Sequence, residues 1–124
     1  MDTAEIPRDR WTRFFDDFSA LHAGWIVRLE VIGPTLGAQE EVSSLPLVGL
    51  AADVKGRTRV EVIVGGTPGA HMTRIIESPR RVWVRPPETI GRDVIDIESD
   101  DWTVTLLHFD RGRPVDRLLP SEAR

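Results

Sequence analysis

The apolar positions of this chain change their period once. From Pro7 to His22 the large apolar residues recur at helical spacing; from Trp25 to Phe109 the spacing falls to two, in short runs broken by glycine and proline. The first pattern predicts one amphipathic helix, the second a compact antiparallel β region. Trp11, Phe14, Phe15, Phe18 and Leu21 fall at i, i+3, i+4, i+7 and i+10, a single apolar stripe. Asp9, Arg13, Asp16 and Asp17 occupy the opposite face, with Asp9 and Arg13 at the favourable i, i+4 spacing. Pro7 suits the first turn, and Gly24 the position just past the end. Three of the four phenylalanines lie in this segment. The helix is therefore expected to bury its face on the β region, because left bare it would be a sticky surface.

Within the β region, Trp25 to Ile32 alternates an apolar face with a mixed one, as a half-buried strand does. Ala38 to Val42 reads as a charged edge strand, and Pro46 separates it from the next run. Val48, Leu50, Ala52 and Val54 form an inward set; after a Lys55-Gly56 turn, Val60, Val62 and Val64 continue it. Gly65 to Gly69 is a loop. Met72 to Glu77 and Arg81 to Arg85 are two further strands, split by Ser78-Pro79. Asp93 to Glu98 and Thr103 to Phe109 form a closing hairpin. The fold class expected is α+β, mainly β. It is a small antiparallel barrel or sandwich of about six to eight short strands with one N-terminal helix. A single domain over residues 1–109 has its helix at about 7–22 and its β region at about 25–109, and residues 110–124 form a flexible polar tail.

Composition narrows the function classes. At 124 residues there is room for one domain. With no cysteine, disulfides, thiolate catalysis and cysteine-ligated metals are excluded. The N-terminus has no secretory pattern, and no apolar run approaches the roughly 20 residues of a membrane helix. A cytoplasmic protein without membrane contact is the default. The net charge of −4 does not steer the chain toward phosphate backbones, so nucleic acid is not the expected partner. Of the 16 basic residues only Lys55 is lysine, a bias that a GC-rich coding sequence also produces.

Several stretches carry a family resemblance. They are Ile6-Pro7-Arg8 leading to Trp11, Phe18-Ser19, His22-x-Gly24-Trp25, Leu29-Glu30-Val31-Ile32-Gly33 and Leu36-Gly37-Ala38-Gln39. Leu45-Pro46-Leu47, Ile97-Glu98-Ser99 and Thr105-Leu106-Leu107-x-Phe109 complete them. In order and spacing the chain resembles a small prokaryotic family, domain-of-unknown-function family 5335, over roughly residues 5–109. The resemblance implies no activity and carries no functional residue. The chain departs from it in the last hairpin, where Asp101-Trp102 stands in place of an Asp-Gly turn. Trp disfavours positive φ, which puts a tight primed turn there in doubt.

Candidate chemistry is sparse. His22, His71 and His108 have no metal-ligand spacing. His22, on the apolar side of the helix in its last turn, faces the negative end of the helix dipole. A meeting of His71 with His108 across a sheet is the alternative to two structural histidines. Asp100 and Asp101, with Glu98 and Asp96 nearby, lack the ordered ligand series of a calcium loop and read as a solvated turn. Gly65-Gly66-Thr67-Pro68-Gly69 lacks the Gly-Lys-Ser/Thr ending of a phosphate loop. No serine sits in a nucleophile elbow, and there is no tyrosine. No catalytic residue, metal or cofactor is expected.

The distinctive constellation is Arg81, Trp83 and Arg85, which alternation puts on one face opposite Val82 and Val84. Three readings stay open: an Arg-covered Trp packed under the helix, a protein interface, or a base-stacking strand for nucleic acid. The expected function is a non-enzymatic β module that binds a protein partner or a second copy of itself. The alternatives are a nucleic-acid-binding barrel using the same strand, and a small enzyme with an Asp–His pair, which would need a pocket converging on His71 or His108.

Overall fold

The computed structural model describes residues 3–34, 37–65, 71–85 and 91–111, without the side chains of Glu41 and Ser43. The helical period gives a 3-10 turn at Arg8–Arg10 that runs into α1 (Trp11–Leu21), and Gly24 follows at φ +84°. Trp11, Phe15 and Phe18 are buried and Phe14 is half-buried against the core, so the stripe packs on the sheet. Leu21 does not; it is 76% exposed. At 3.6 residues per turn Leu21 is rotated about 80° from Trp11, whereas His22 is only about 20° away, and the histidine takes the inward place. On the outer face the ion pair is Arg13–Asp17 at 3.8 Å, not Asp9–Arg13.

Among the described residues there are eight strands: β1 (Ala4–Ile6), β2 (Ile26–Gly33), β3 (Gly37–Asp53), β4 (Arg59–Val64), β5 (Met72–Glu77), β6 (Pro79–Arg85), β7 (Arg92–Ser99) and β8 (Val104–Asp110). They form one antiparallel sheet in the order β1-β6-β7-β8-β2-β3-β4-β5. Ser78 alone joins β5 to β6, yet those strands stand near opposite ends of the order. The sheet must therefore curl until its ends approach. Among the described residues no ladder joins β5 to β6 or β1, so the sheet stays unclosed. The fold is mainly antiparallel β with one N-terminal helix.

β3 corrects the expected break at Pro46. It runs on for 17 residues and passes from pairing with β2 to pairing with β4. Pro46 sits at the changeover: its carbonyl accepts the Gly65 N–H at 3.0 Å just past the end of β4, so its missing N–H falls at the end of that ladder rather than within it. β-Bulges make this possible. Ser44 sits at φ +54° in a stretch where the register slips, and Val48 is the extra residue between Leu47↔Val64 and Gly49↔Ile63. The Val48 bulge flips the expected parity, so that Leu47 is buried and Val48 is 41% exposed. Leu50, Val60, Val62 and Val64 are buried as expected.

α1 lies along this half of β3. The Leu50 N–H donates to Ser19 Oγ at 3.0 Å, and Thr12 Oγ1 donates to the Ala52 carbonyl at 3.4 Å. Inside the curl, Phe15 and Phe18 join Val27, Leu29, Ile95 and Phe109 in one core. β1 has no counterpart in the sequence pattern, since three residues are too short to show a period. It covers the edge of β6, with Glu5 opposite Trp83. The expected tail at 110–124 lies outside the described residues beyond Arg111, as does most of the Gly65–Gly69 loop.

Candidate functional site

Ladder register turns the outer face of the sheet into rows. One row runs Glu5, Trp83, Asp96, Leu106, Glu30 and Glu40 across β1, β6, β7, β8, β2 and β3. The next runs Arg85, Val94, His108 and Arg28. Arg81, Trp83 and Arg85 do share this face, as alternation requires, but they do not form a bare basic strip. Trp83 is half-buried and its Nε1 donates to Glu98 Oε2 at 3.0 Å. Arg85 donates from Nε and Nη2 to Asp96 Oδ2 at 3.0 and 2.8 Å. The other Asp96 oxygen is buried without a partner among the described residues. Arg81 is exposed, opposite Glu98. Asp96 and Glu98, which alternate along β7, thus hold Arg85 and Trp83.

The open aromatic is Trp102, which is 71% exposed. It closes a three-residue hairpin loop. The Trp102 N–H donates to the Ser99 carbonyl at 3.1 Å and the Ser99 N–H to the Thr103 carbonyl at 2.9 Å. That pattern is a turn followed by a left-handed residue, a position that favours glycine. Trp102 holds it at φ +67°, so the tight primed turn is replaced by a longer, strained one. The Arg80 guanidinium lies over the indole, 5.0 Å from its centre, and within 3.9 Å of Glu98. Arg81, Asp100 and Asp101 are exposed at the same corner, where the Asp100 N–H donates to the Ser78 carbonyl. Asp101 Oδ1 accepts from the Thr103 N–H at 3.0 Å. The Thr103 hydroxyl, and then that N–H, hold the Asp101 carboxyl below its ordinary value.

At the opposite end of β7 and β8 lies a trough of about 460 Å³. Arg28, Arg85, Arg92, Asp93, His108 and Asp110 are among its walls. His108 Nε2 is 3.4 Å from Glu30 Oε1. His71 is exposed at the start of β5, beyond β2, β3 and β4 in the sheet order, so the two histidines are not brought together. The Asp–His contact at the trough is a different one. Asp93 Oδ2 is 2.7 Å from Nε2 of His22, whose ring stacks on Phe18 with centroids 3.7 Å apart. An acid at an inward strand position and a histidine on the apolar side of a helix were each a signal for the other.

Among the described residues no group of three or more His, Asp or Glu could hold a metal ion, and no helix is long and apolar enough to cross a membrane. An uncharacterized protein of Aquifex aeolicus is 40% identical over 55 residues, covering 44% of this chain. The matched segment spans 50% of that curated relative. No solved structure matches the chain. The model of a family of unknown function (DUF5335) matches residues 2–118, and the chain belongs to that family.

Proposed function

We infer that the protein is a non-enzymatic β module that associates with a second copy of itself through the Trp102 corner. The observation that carries this reading is the exposed, strained Trp102 with Arg80 stacked on it. A left-handed conformation costs a non-glycine residue about 1–2 kcal/mol. Such strain clusters at functional sites, where the surrounding structure sustains it. Trp and Arg are the side chains enriched in interface centres. The corner carries both signs of charge, Arg80 and Arg81 beside Asp100 and Asp101. A two-fold contact requires such a self-complementary patch. A protein partner is favoured over nucleic acid because Trp83 and Arg85, the expected stacking strand, are already held by Glu98 and Asp96. The interaction surface therefore moves from Trp83 to Trp102, with Arg81 at its margin.

Charge exchange tests this. Arg81→Glu and Asp100→Lys should each weaken self-association in sedimentation equilibrium, and their mixture should restore it. Wild type that stays monomeric at all concentrations, or a mixture no tighter than the single variants, contradicts the reading.

A further inference from the structure

The row of basic residues on the outer face is held from one side only. Arg85, His108 and Arg28 stand in register across β6, β8 and β2, with Val94 of β7 between Arg85 and His108. Each has its carboxylate in the row behind it: Arg85 on Asp96 at 2.8 Å, His108 at 3.4 Å from Glu30, and Arg28 at 3.8 and 3.9 Å from Glu30 and Glu40. None of these three carboxylates lines the trough, whereas all three basic residues do, and Arg92 joins them. Two acids that do line it already have partners. Asp93 is met by His22 at 2.7 Å and Asp110 by Arg92 at 3.4 Å. At 3.8–3.9 Å the Arg28 pairs lie beyond hydrogen-bond reach, so its guanidinium keeps donors for a ligand. Ser44, at φ +54°, is exposed on the rim. Strained residues of this kind recur at ligand clamps. A trough of about 460 Å³ is within the range of small-molecule sites.

We propose that this trough binds a small multivalent oxyanion, a phosphate or a polycarboxylate, with Arg28, Arg92 and His108 as its donors. The acidic row of Asp96, Glu30 and Glu40 acts from behind, holding the basic row in place before the ligand arrives. Arginine suits this task because its planar fork matches carboxylate and phosphate oxygens two at a time. The site is at the opposite end of β7 and β8 from Trp102, so it does not depend on self-association.

The test is calorimetric titration of the full chain with inorganic phosphate, pyrophosphate and citrate, with amide chemical shifts read in parallel. Saturable binding of at least one is expected, with shifts centred on residues 26–28, 92–94 and 108. Binding of phosphate and pyrophosphate but not citrate assigns a phosphate ligand, and the converse a carboxylate. Arg28→Gln and Arg92→Gln should each weaken binding about tenfold or more. Arg13→Gln, on the outer face of α1, should leave it unchanged. The proposal is overturned if none of the three anions binds saturably at millimolar concentration. It is also overturned if Arg13→Gln weakens binding as much as Arg28→Gln, or if the shifts of wild type centre elsewhere.

Discussion

His22 and Asp93 are 71 residues apart in the chain and 2.7 Å apart in the fold. The pair ties the end of α1 to the start of β7. His22 Nδ1 carries a proton and donates to the Phe18 carbonyl at 2.8 Å, because a carbonyl oxygen can only accept. The same carbonyl also accepts the His22 backbone N–H at 2.9 Å, so the ring adds a second bond to the last turn of the helix. The ring is also packed against Phe18, Trp25 and Phe109. Asp93→Ala should cost about 1–3 kcal/mol in urea unfolding, the range for leaving a buried polar group unpaired. Amide exchange should quicken at the end of α1 before it quickens in β2. Unchanged stability would show the pair to be incidental.

Trp83 is a structural residue on this account. Trp83→Phe keeps the ring and removes the bond to Glu98, and should cost roughly 1 kcal/mol. Trp83→Ala should lower the melting temperature further without altering self-association, with a loss below the about 3–5 kcal/mol of a fully buried aromatic. A dimer-to-monomer shift in Trp83→Ala at unchanged stability would return the interface to the Arg81–Trp83–Arg85 face.

Asp101 titrates lower in the fold than its ordinary 3.8, chiefly through the Thr103 hydroxyl. A depressed folded value means the loop is stabilised above the unfolded-state value, and that this contribution fades as pH falls through the folded one. An NMR titration of the Asp101 carboxyl should therefore find a midpoint below 3.8, and Thr103→Val should raise it. A midpoint that ignores Thr103→Val would remove the hydroxyl as the cause.

The helix and most strands are legible in the sequence because burial follows period there: Trp11, Phe15 and Phe18 at helical spacing, and Val60, Val62 and Val64 at spacing two. What fails to show has a common physical cause. Bulges at Ser43-Ser44 and Val48 add residues without changing composition, so the parity beyond them reverses and β3 reads as two strands. β1 is too short for a period, and its partner β6 is far away in sequence. The same long range hides His22–Asp93. The strip at Arg81, Trp83 and Arg85 is placed on the right face, but its occupancy by Asp96 and Glu98 needs the β6–β7 register. Trp102 is visible as an oddity in a turn, whereas its exposure and the Arg80 above it emerge only from the fold.

The most direct test of the central claim is Trp102→Gly, read by thermal unfolding and sedimentation equilibrium on the same sample. Glycine relieves the left-handed strain at φ +67° but loses the stacking with Arg80 and adds freedom to the unfolded chain. The expected result is a stability equal to wild type or higher by up to about 1 kcal/mol, together with loss of self-association. A variant that associates as tightly as wild type would contradict the account, and so would one whose loss of association is matched by loss of the fold.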